Sequence, residues 1–195
     1  MSFFRFYKYC LLKHPVKTKA ITNGIIYSVA DITCQKIESK YTKEKNKEFD
    51  KTRTFVFWLF GTFMSGPANH FWMNRLNKFG QHLIKSKNYT KNTANLTMVC
   101  MDQLLYSPIY SIVFFTSAHF LNDKFKNINK DNKTIFSESI DHTKNIFPIT
   151  YTSEFFFWPI IQFVNFKYIN INYRVLFMSK CNLLWSVFTS YMVNN

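Results

Sequence analysis

Glycine is scarce in this chain, with four residues in 195. So few cannot supply a phosphate-cradling loop, and neither GxxxxGK nor GxGxxG occurs. Cysteine is equally rare. Cys10, Cys34, Cys100 and Cys181 lie far apart and form no CxxC pair, which excludes a zinc ribbon or a thioredoxin-type centre by spacing. Free, buried thiols are the expectation. His14, His70, His82, His119 and His142 show no metal-ligand spacing and no HExxH. No Ser, His and Asp group stands out as a triad. The chain is therefore expected to carry no metal, no cofactor and no enzymatic activity. The N-terminus lacks a clean apolar stretch before a small-residue site, so a cleavable secretory signal is not expected.

Acidic residues are also few: 11 against 25 Lys and Arg, a formal net charge of +14. Such an excess can mark a nucleic-acid binder. Here the basic residues sit in loops beside long uncharged runs, where membrane-flanking cations belong. Nucleic acid is accordingly not an expected partner.

What the chain has in abundance is apolar and aromatic surface, 47% and 19% of residues, with 23 Phe. The mean hydropathy of -0.14 understates the apolar runs, because Lys, Asn and Asp crowd into linkers. Thr54 to Asn74 and Gln103 to Asn122 are 21 and 20 residues without Lys, Arg, Asp or Glu. At about 1.5 Å per residue each covers a hydrocarbon core of roughly 30 Å. Asn145 to Phe166 is interrupted only by Glu154, and Val175 to Asn195 only by Lys180. Residues 16–37 are weaker, with Lys17, Lys19, Asp31 and Lys36 near their ends. The fold expected is all-α: a multi-pass transmembrane helix bundle with four spans and a possible fifth membrane-associated helix. The apolar segments are 16–37, 54–74, 94–121, 146–167 and 174–193, within a single integral membrane domain, 1–195. Cations are shared about evenly among the loops, so the positive-inside rule assigns no orientation.

Residues at helical offsets 0, 4, 7 and 11 share a face. Gly24, Ser28, Asp31 and Gln35 fit that spacing, as do Gly61, Ser65 and Trp72, then Glu154, Trp158, Gln162 and Asn165, and finally Asn182, Ser186 and Thr189. Asp102, Gln103, Tyr106 and Ser107 cluster at the start of another apolar run. Two readings of these stripes stand side by side. Small and polar residues allow close helix packing and interhelical hydrogen bonds. Alternatively the stripes converge on a water-filled path, since a carboxylate facing lipid costs about 2.5 kcal/mol or more. Asp31, Gln35, Asp102, Gln103, Glu154, Trp158, Gln162 and Asn165 are the pore-lining or polar-face candidates. Pro67, Pro108 and Pro159 fall inside apolar runs and each frees a backbone carbonyl. A kink is expected at Gly66-Pro67, with Asn69 or His70 near the opened turn.

The ordered set of residues resembles one family. It runs through Tyr7, Leu11 and Pro15; Gly24, Asp31 and Gln35; Asp50, Arg53 and Thr54. It continues with Gly61, Gly66, Pro67, His70, Trp72 and Leu76, then Asp102, Gln103 and Pro108. It closes on Trp158, Pro159, Gln162, Asn165, Phe166, Arg174 and Trp185. The chain resembles the family of the 22-kDa peroxisomal membrane protein and its mitochondrial inner-membrane relatives, the Mpv-seventeen family, over nearly its whole length. Gly66, Pro67, His70, Trp72, Pro108 and Pro159 are its structural signature. Phe4, Met73, Phe155, Asn170 and Ser186 depart from the family pattern.

The resemblance implies a small integral protein of the mitochondrial inner membrane or, alternatively, the peroxisomal membrane. It implies a channel or pore for small solutes or ions that affects organelle metabolite balance; a non-conducting scaffold or assembly factor is the alternative. The expected partners are the lipid bilayer and small solutes or ions, with a homo-oligomer left open. The basic, acid-free tail through residues 3–19 tilts the expected address towards mitochondria.

Overall fold

Prolines shape the backbone of this protein more than glycines do. A computed structural model describes residues 3–41 and 48–194, with side chains from 5–40 and 48–185. The middle of the charged linker 38–53, and the side chains of Ser186 and Thr189 in the last polar stripe, fall outside that range. The helices are α1 (Phe3–Lys13), α2 (Pro15–Tyr41), α3 (Lys51–Leu59), α4 (Gly66–Ser86), α5 (Lys91–Met101), α6 (Ser107–Lys126), α7 (Asn132–Tyr168) and α8 (Arg174–Asn194). Two π-helical segments, Phe60–Ser65 and Asp102–Tyr106, join α3 to α4 and α5 to α6 without a break. The result is six continuous helices, and no strand occurs among the described residues.

Each π segment ends just before an X-Pro step, Gly66-Pro67 and Ser107-Pro108. Proline lacks the N–H that would bond four residues back, and its ring crowds that carbonyl. Widening the preceding turn relieves both problems. Gly66 N–H donates to Gly61 O, and Ser107 N–H to Asp102 O, each five residues back. The irregularity expected at Gly66-Pro67 is therefore a widened turn within a continuous helix. Asn69 does sit beside it, donating to Ser65 Oγ at 3.1 Å. Pro148 and Pro159 lie inside α7 with no such segment.

Helix starts follow local chemistry. Asp50 caps α3 by accepting from Arg53 N at 2.9 Å, and Thr90 caps α5 by accepting from Thr93 N at 3.2 Å.

The chain forms two compact units: residues 1–75 with 169–195, and residues 76–168. In the first, α2 packs against α8, α3 and the first π segment. In the second, α7 packs against α5 and α6. Both bury polar side chains alongside apolar ones and expose large apolar side chains. Asn23, Asp31 and Ser65 are among the most buried residues of the first unit, and Ser139, Gln162 and Asn165 of the second. Meanwhile Phe63, Ile109, Ile149, Phe156 and Ile160 stand at least 65% exposed. Water as the surrounding solvent would favour the reverse; a hydrocarbon surround favours this arrangement.

One helix among the described residues, Lys91–Lys126, is long and apolar enough to cross a membrane. It contains the Gln103–Asn122 run. The other charge-free run, 54–74, is diluted by Thr54, Thr62, Ser65, Asn69, His70 and Asn74, so its lack of charge overstates its apolarity.

Candidate functional site

The sequence-predicted polar residues separate into three groups. In the first unit, Asp31 and Gln35 lie one turn apart on α2 and close a network with the start of α3. Gln35 Nε2 donates to Asp31 Oδ2 at 2.7 Å and to the Asp50 carbonyl at 3.0 Å; Gln35 Oε1 accepts from Asp50 N at 2.8 Å. Thr54 Oγ1 donates to Asp31 Oδ2 at 2.6 Å. Arg53 completes it. Its Nε lies 2.7 Å from Asp31 Oδ1, an ion pair rather than an aligned hydrogen bond, and its two terminal nitrogens fork onto Glu38 at 2.9 and 3.1 Å. The Asp31 side chain is fully buried, so Arg53 supplies the charge that a carboxylate there requires.

The core of the same unit is also polar and tightly packed. Asn23 donates to Ser65 Oγ at 3.2 Å, Ser65 to Tyr27 Oη at 3.2 Å, and Ser179 to Asn23 Oδ1. The buried polar residue that α8 brings here is Ser179, while Asn182 of the expected stripe is half-buried. Glycine makes the approach possible. A Cβ on Gly61 would lie 2.9 Å from Asn23 O and Gly24 Cα, and one on Gly66 only 2.5 Å from Ala20 Cα. His70 accepts from Lys19 Nζ through Nδ1 at 3.1 Å. An ammonium only donates, so the neutral ring carries its proton on Nε2, where Asn74 lies 3.0 Å away and must present its amide oxygen. Trp72 and Pro67 are half-buried.

The second unit holds the other two groups. Glu154, 6% exposed, projects from α7 towards α6. Ser111 donates to its Oε1 at 3.0 Å and Oε2 at 2.9 Å, and Ser107 to Oε2 at 3.2 Å. These hydroxyls are its only hydrogen-bond partners among the described residues. Ser107 and Ser111 stand one turn apart on the helix that can cross a membrane. Their spacing is plain in the sequence, but only the fold pairs it with Glu154.

Two turns further along α7, Gln162 and Asn165 face the second π segment. Gln162 Nε2 donates to Asp102 Oδ2, and Asn165 Nδ2 donates to Gln162 Oε1 at 3.1 Å. Tyr151 donates to the Gln103 carbonyl at 2.9 Å. Asp102, Gln103, Gln162 and Asn165 are all at most 3% exposed. Trp158, Pro108 and Pro159 are half-buried, so the Glu154, Gln162 and Asn165 face is deeper than the Trp158 position beside it.

At the hairpin end of the same unit, His119 and His142 stack with centroids 4.5 Å apart, and His119 Nδ1 lies 3.0 Å from Ser139 Oγ. Burial, and then the neighbouring His119, hold His142 below the ordinary histidine value. Among the described residues no cluster of three His, Cys, Asp or Glu could hold a metal. All four cysteines are free. Cys34 and Cys181 are buried as expected, Cys10 is half-buried and Cys100 is exposed.

These residues sit in a chain with close relatives. PXMP2/4 family protein 4 of Dictyostelium discoideum is 35% identical over 182 residues, spanning 93% of this chain and 88% of the relative. The chain belongs to the Mpv17/PMP22 family. The Mpv17 / PMP22 family profile itself matches residues 131–190, which include α7 and most of α8. Peroxisomal membrane protein PMP22 of Arabidopsis thaliana is 28% identical, over 91% of this chain and 83% of the relative. Mitochondrial inner membrane protein Mpv17 of Caenorhabditis briggsae is 24% identical, over 98% and 93%. The relatives' names place the family in the two membranes expected from the sequence. No solved structure matches this chain.

Proposed function

We propose that this protein is an organelle-membrane channel or pore for small solutes or ions, acting on the metabolite balance of its compartment. One observation supports this most. Glu154 is a buried carboxylate whose hydrogen-bond partners are the hydroxyls of Ser107 and Ser111, on a helix apolar enough to span lipid. A buried carboxylate at membrane depth is expensive unless it faces protein or water, and neutral hydroxyls leave its charge uncompensated. Four spans, through segments 16–37, 54–74, 94–121 and 146–167, with 174–193 as a membrane-associated fifth, accommodate this arrangement. The bilayer is then the main partner, with a homo-oligomer as one way to complete a pore, and no catalytic role is assigned. The basic tail favours the mitochondrial inner membrane over the peroxisomal one.

The non-conducting scaffold keeps one specific observation in its favour: in the first unit every candidate polar group, Asp31 and Gln35 included, is consumed by internal packing. Reconstitution of purified protein into planar bilayers, with solutes graded by size and charge, separates the two. Passage of small solutes with a size limit supports the pore. A silent bilayer holding verified inserted protein supports the scaffold.

A further inference from the structure

Charge in the first unit is sorted between its two ends. α2 and the stretch from α3 to α4 run antiparallel. Thr54 lies against Asp31, Gly61 against Gly24, Gly66 against Ala20 and His70 against Lys19. The Asp31 end holds the carboxylates, with Glu38, Glu48 and Asp50 beside that junction. The Lys19 end holds none: no acid occurs before Asp31, or from Thr54 to Arg75. Lys17 and Arg75 are exposed there and have no ion-pair partner among the described residues. Lys19 is 4% exposed, and its one hydrogen-bond partner among the described residues is the His70 ring nitrogen at 3.1 Å. An ammonium has three N–H donors and a full charge, so this end carries a buried cation without a counter-charge as well.

α1 joins the same end. Thr18 Oγ1 donates to the Cys10 carbonyl at 2.9 Å, eight residues back. A straight helix would separate those positions by about 12 Å. α1 therefore folds back over the start of α2, with Thr22 Oγ1 3.5 Å from Tyr7 Oη. On one side of α1 Leu11 is buried, and Tyr7 and Cys10 are half-buried. The other side mixes Arg5, Lys8 and Lys13 with Phe6, Tyr9 and Leu12, all exposed. Cations avoid hydrocarbon, and aromatic and aliphatic side chains avoid water. The boundary of a bilayer takes both, with cations on phosphates and rings at the edge of the acyl layer. α1 directly precedes segment 16–37, which brings it to that boundary. The missing counter-charge calls for an anionic headgroup.

We infer that the exposed face of α1, with Lys17 and Arg75, is a docking surface for anionic phospholipid at one face of the membrane. The occupant is a headgroup of net negative charge, selected by the acid-free end of the unit. The surface does not rest on the pore reading, because a scaffold could be held in the same way.

The test is backbone hydrogen exchange of the full chain in phosphatidylcholine nanodiscs, with and without phosphatidylglycerol. Amides of α1 should exchange about tenfold more slowly with phosphatidylglycerol present, and high salt should remove the difference. Arg5→Gln, Lys8→Gln, Lys13→Gln and Lys17→Gln combined should abolish it. Lys78→Gln, Lys85→Gln, Lys87→Gln and Lys91→Gln combined remove four exposed charges from the second unit and should leave it in place. Should the first variant fail to fold, the lipid and salt comparison on the wild type decides. Equal exchange in the two kinds of disc, or an undiminished difference in the first variant, would mean that no such surface exists. Loss of the difference in both variants would assign it to net charge and overturn the proposal. So would equal slowing by inorganic phosphate in pure phosphatidylcholine, which points to a free anion. Slowing there that grows with the number of chains per disc would instead give the face to a second copy of the protein.

Discussion

Asp31 and Glu154 are both buried carboxylates on long helices, yet their surroundings are opposites. Asp31, in the first unit, sits against the Arg53 guanidinium and receives further bonds from Gln35 and Thr54. Glu154, in the second, receives two serine hydroxyls. The first is a lock: charge is balanced on the spot and every partner belongs to the helix junction it fastens. The second is a poised group: polar enough to be tolerated, but without a neutralising cation in its shell. A polar stripe in a membrane helix thus carries two meanings, and the nature of the partner separates them.

The largest expected contrast comes from removing the partners. Arg53→Met strands Asp31 in a buried site and should destabilise by about 3–5 kcal/mol. Glu154→Gln keeps hydrogen-bonding capacity towards both serines and should change stability by about 1 kcal/mol or less. Thermal unfolding in detergent measures both, and comparable losses would dissolve the distinction.

The glycines offer a second contrast. Gly66→Ala puts a methyl 2.5 Å from backbone at Ala20, whereas Gly80→Ala in the second unit meets the tip of Met98 at 2.5 Å. Backbone cannot step aside, and a thioether can. Gly66→Ala should cost about 1–3 kcal/mol; Gly80→Ala should be near neutral, helped by the better helix propensity of alanine. Size-exclusion profiles and melting midpoints of the two variants would show it. Equal losses would mean the α2 crossing at Gly66 is no tighter than the Met98 contact.

The smallest effect concerns the hairpin end of the second unit. His142 is held below its ordinary value of 6.5, first by burial and then by His119. The folded state then resists protonating it while the unfolded chain does not. Its contribution is complete above that value and is lost as pH falls from it towards the lowered folded value. Facing charges at this end are His119, Asp123, Lys130 and Glu138, with Lys130 bridging the two carboxylates. His142 and Glu138 are exposed, and His119, Asp123 and Lys130 half-buried, so solvent screens the group and the loss should stay under about 1 kcal/mol. His142→Gln should flatten the melting midpoint between pH 7 and 5.5; an undiminished slope would assign it to other groups.

Much of this was legible beforehand. The all-helical fold follows from the periodicity of the apolar runs, and the close approach of α2 at Gly66 from the spacing of small residues. The Glu154, Gln162 and Asn165 stripe is a real buried face. Three things were not legible. Arg53 as the partner of Asp31 depends on a helix junction that brings them together across 22 positions of sequence. The prolines at 67 and 108 announced disturbance, but not that the disturbance would be a widened turn placed before each. The run 54–74 looked like a span because it lacks charge, although its six Thr, Ser, Asn and His residues weaken it.

In the channel proposed above, the Glu154 carboxylate faces the conducting path. The most direct measurement is the reversal potential of reconstituted wild-type protein and Glu154→Gln under a potassium chloride gradient. A cation preference is expected in the wild type that falls in the variant, with insertion and stability retained, because a wall carboxylate favours cations. An identical reversal potential in the two, with both proteins inserted and conducting, would contradict it and leave Glu154 as a packing residue.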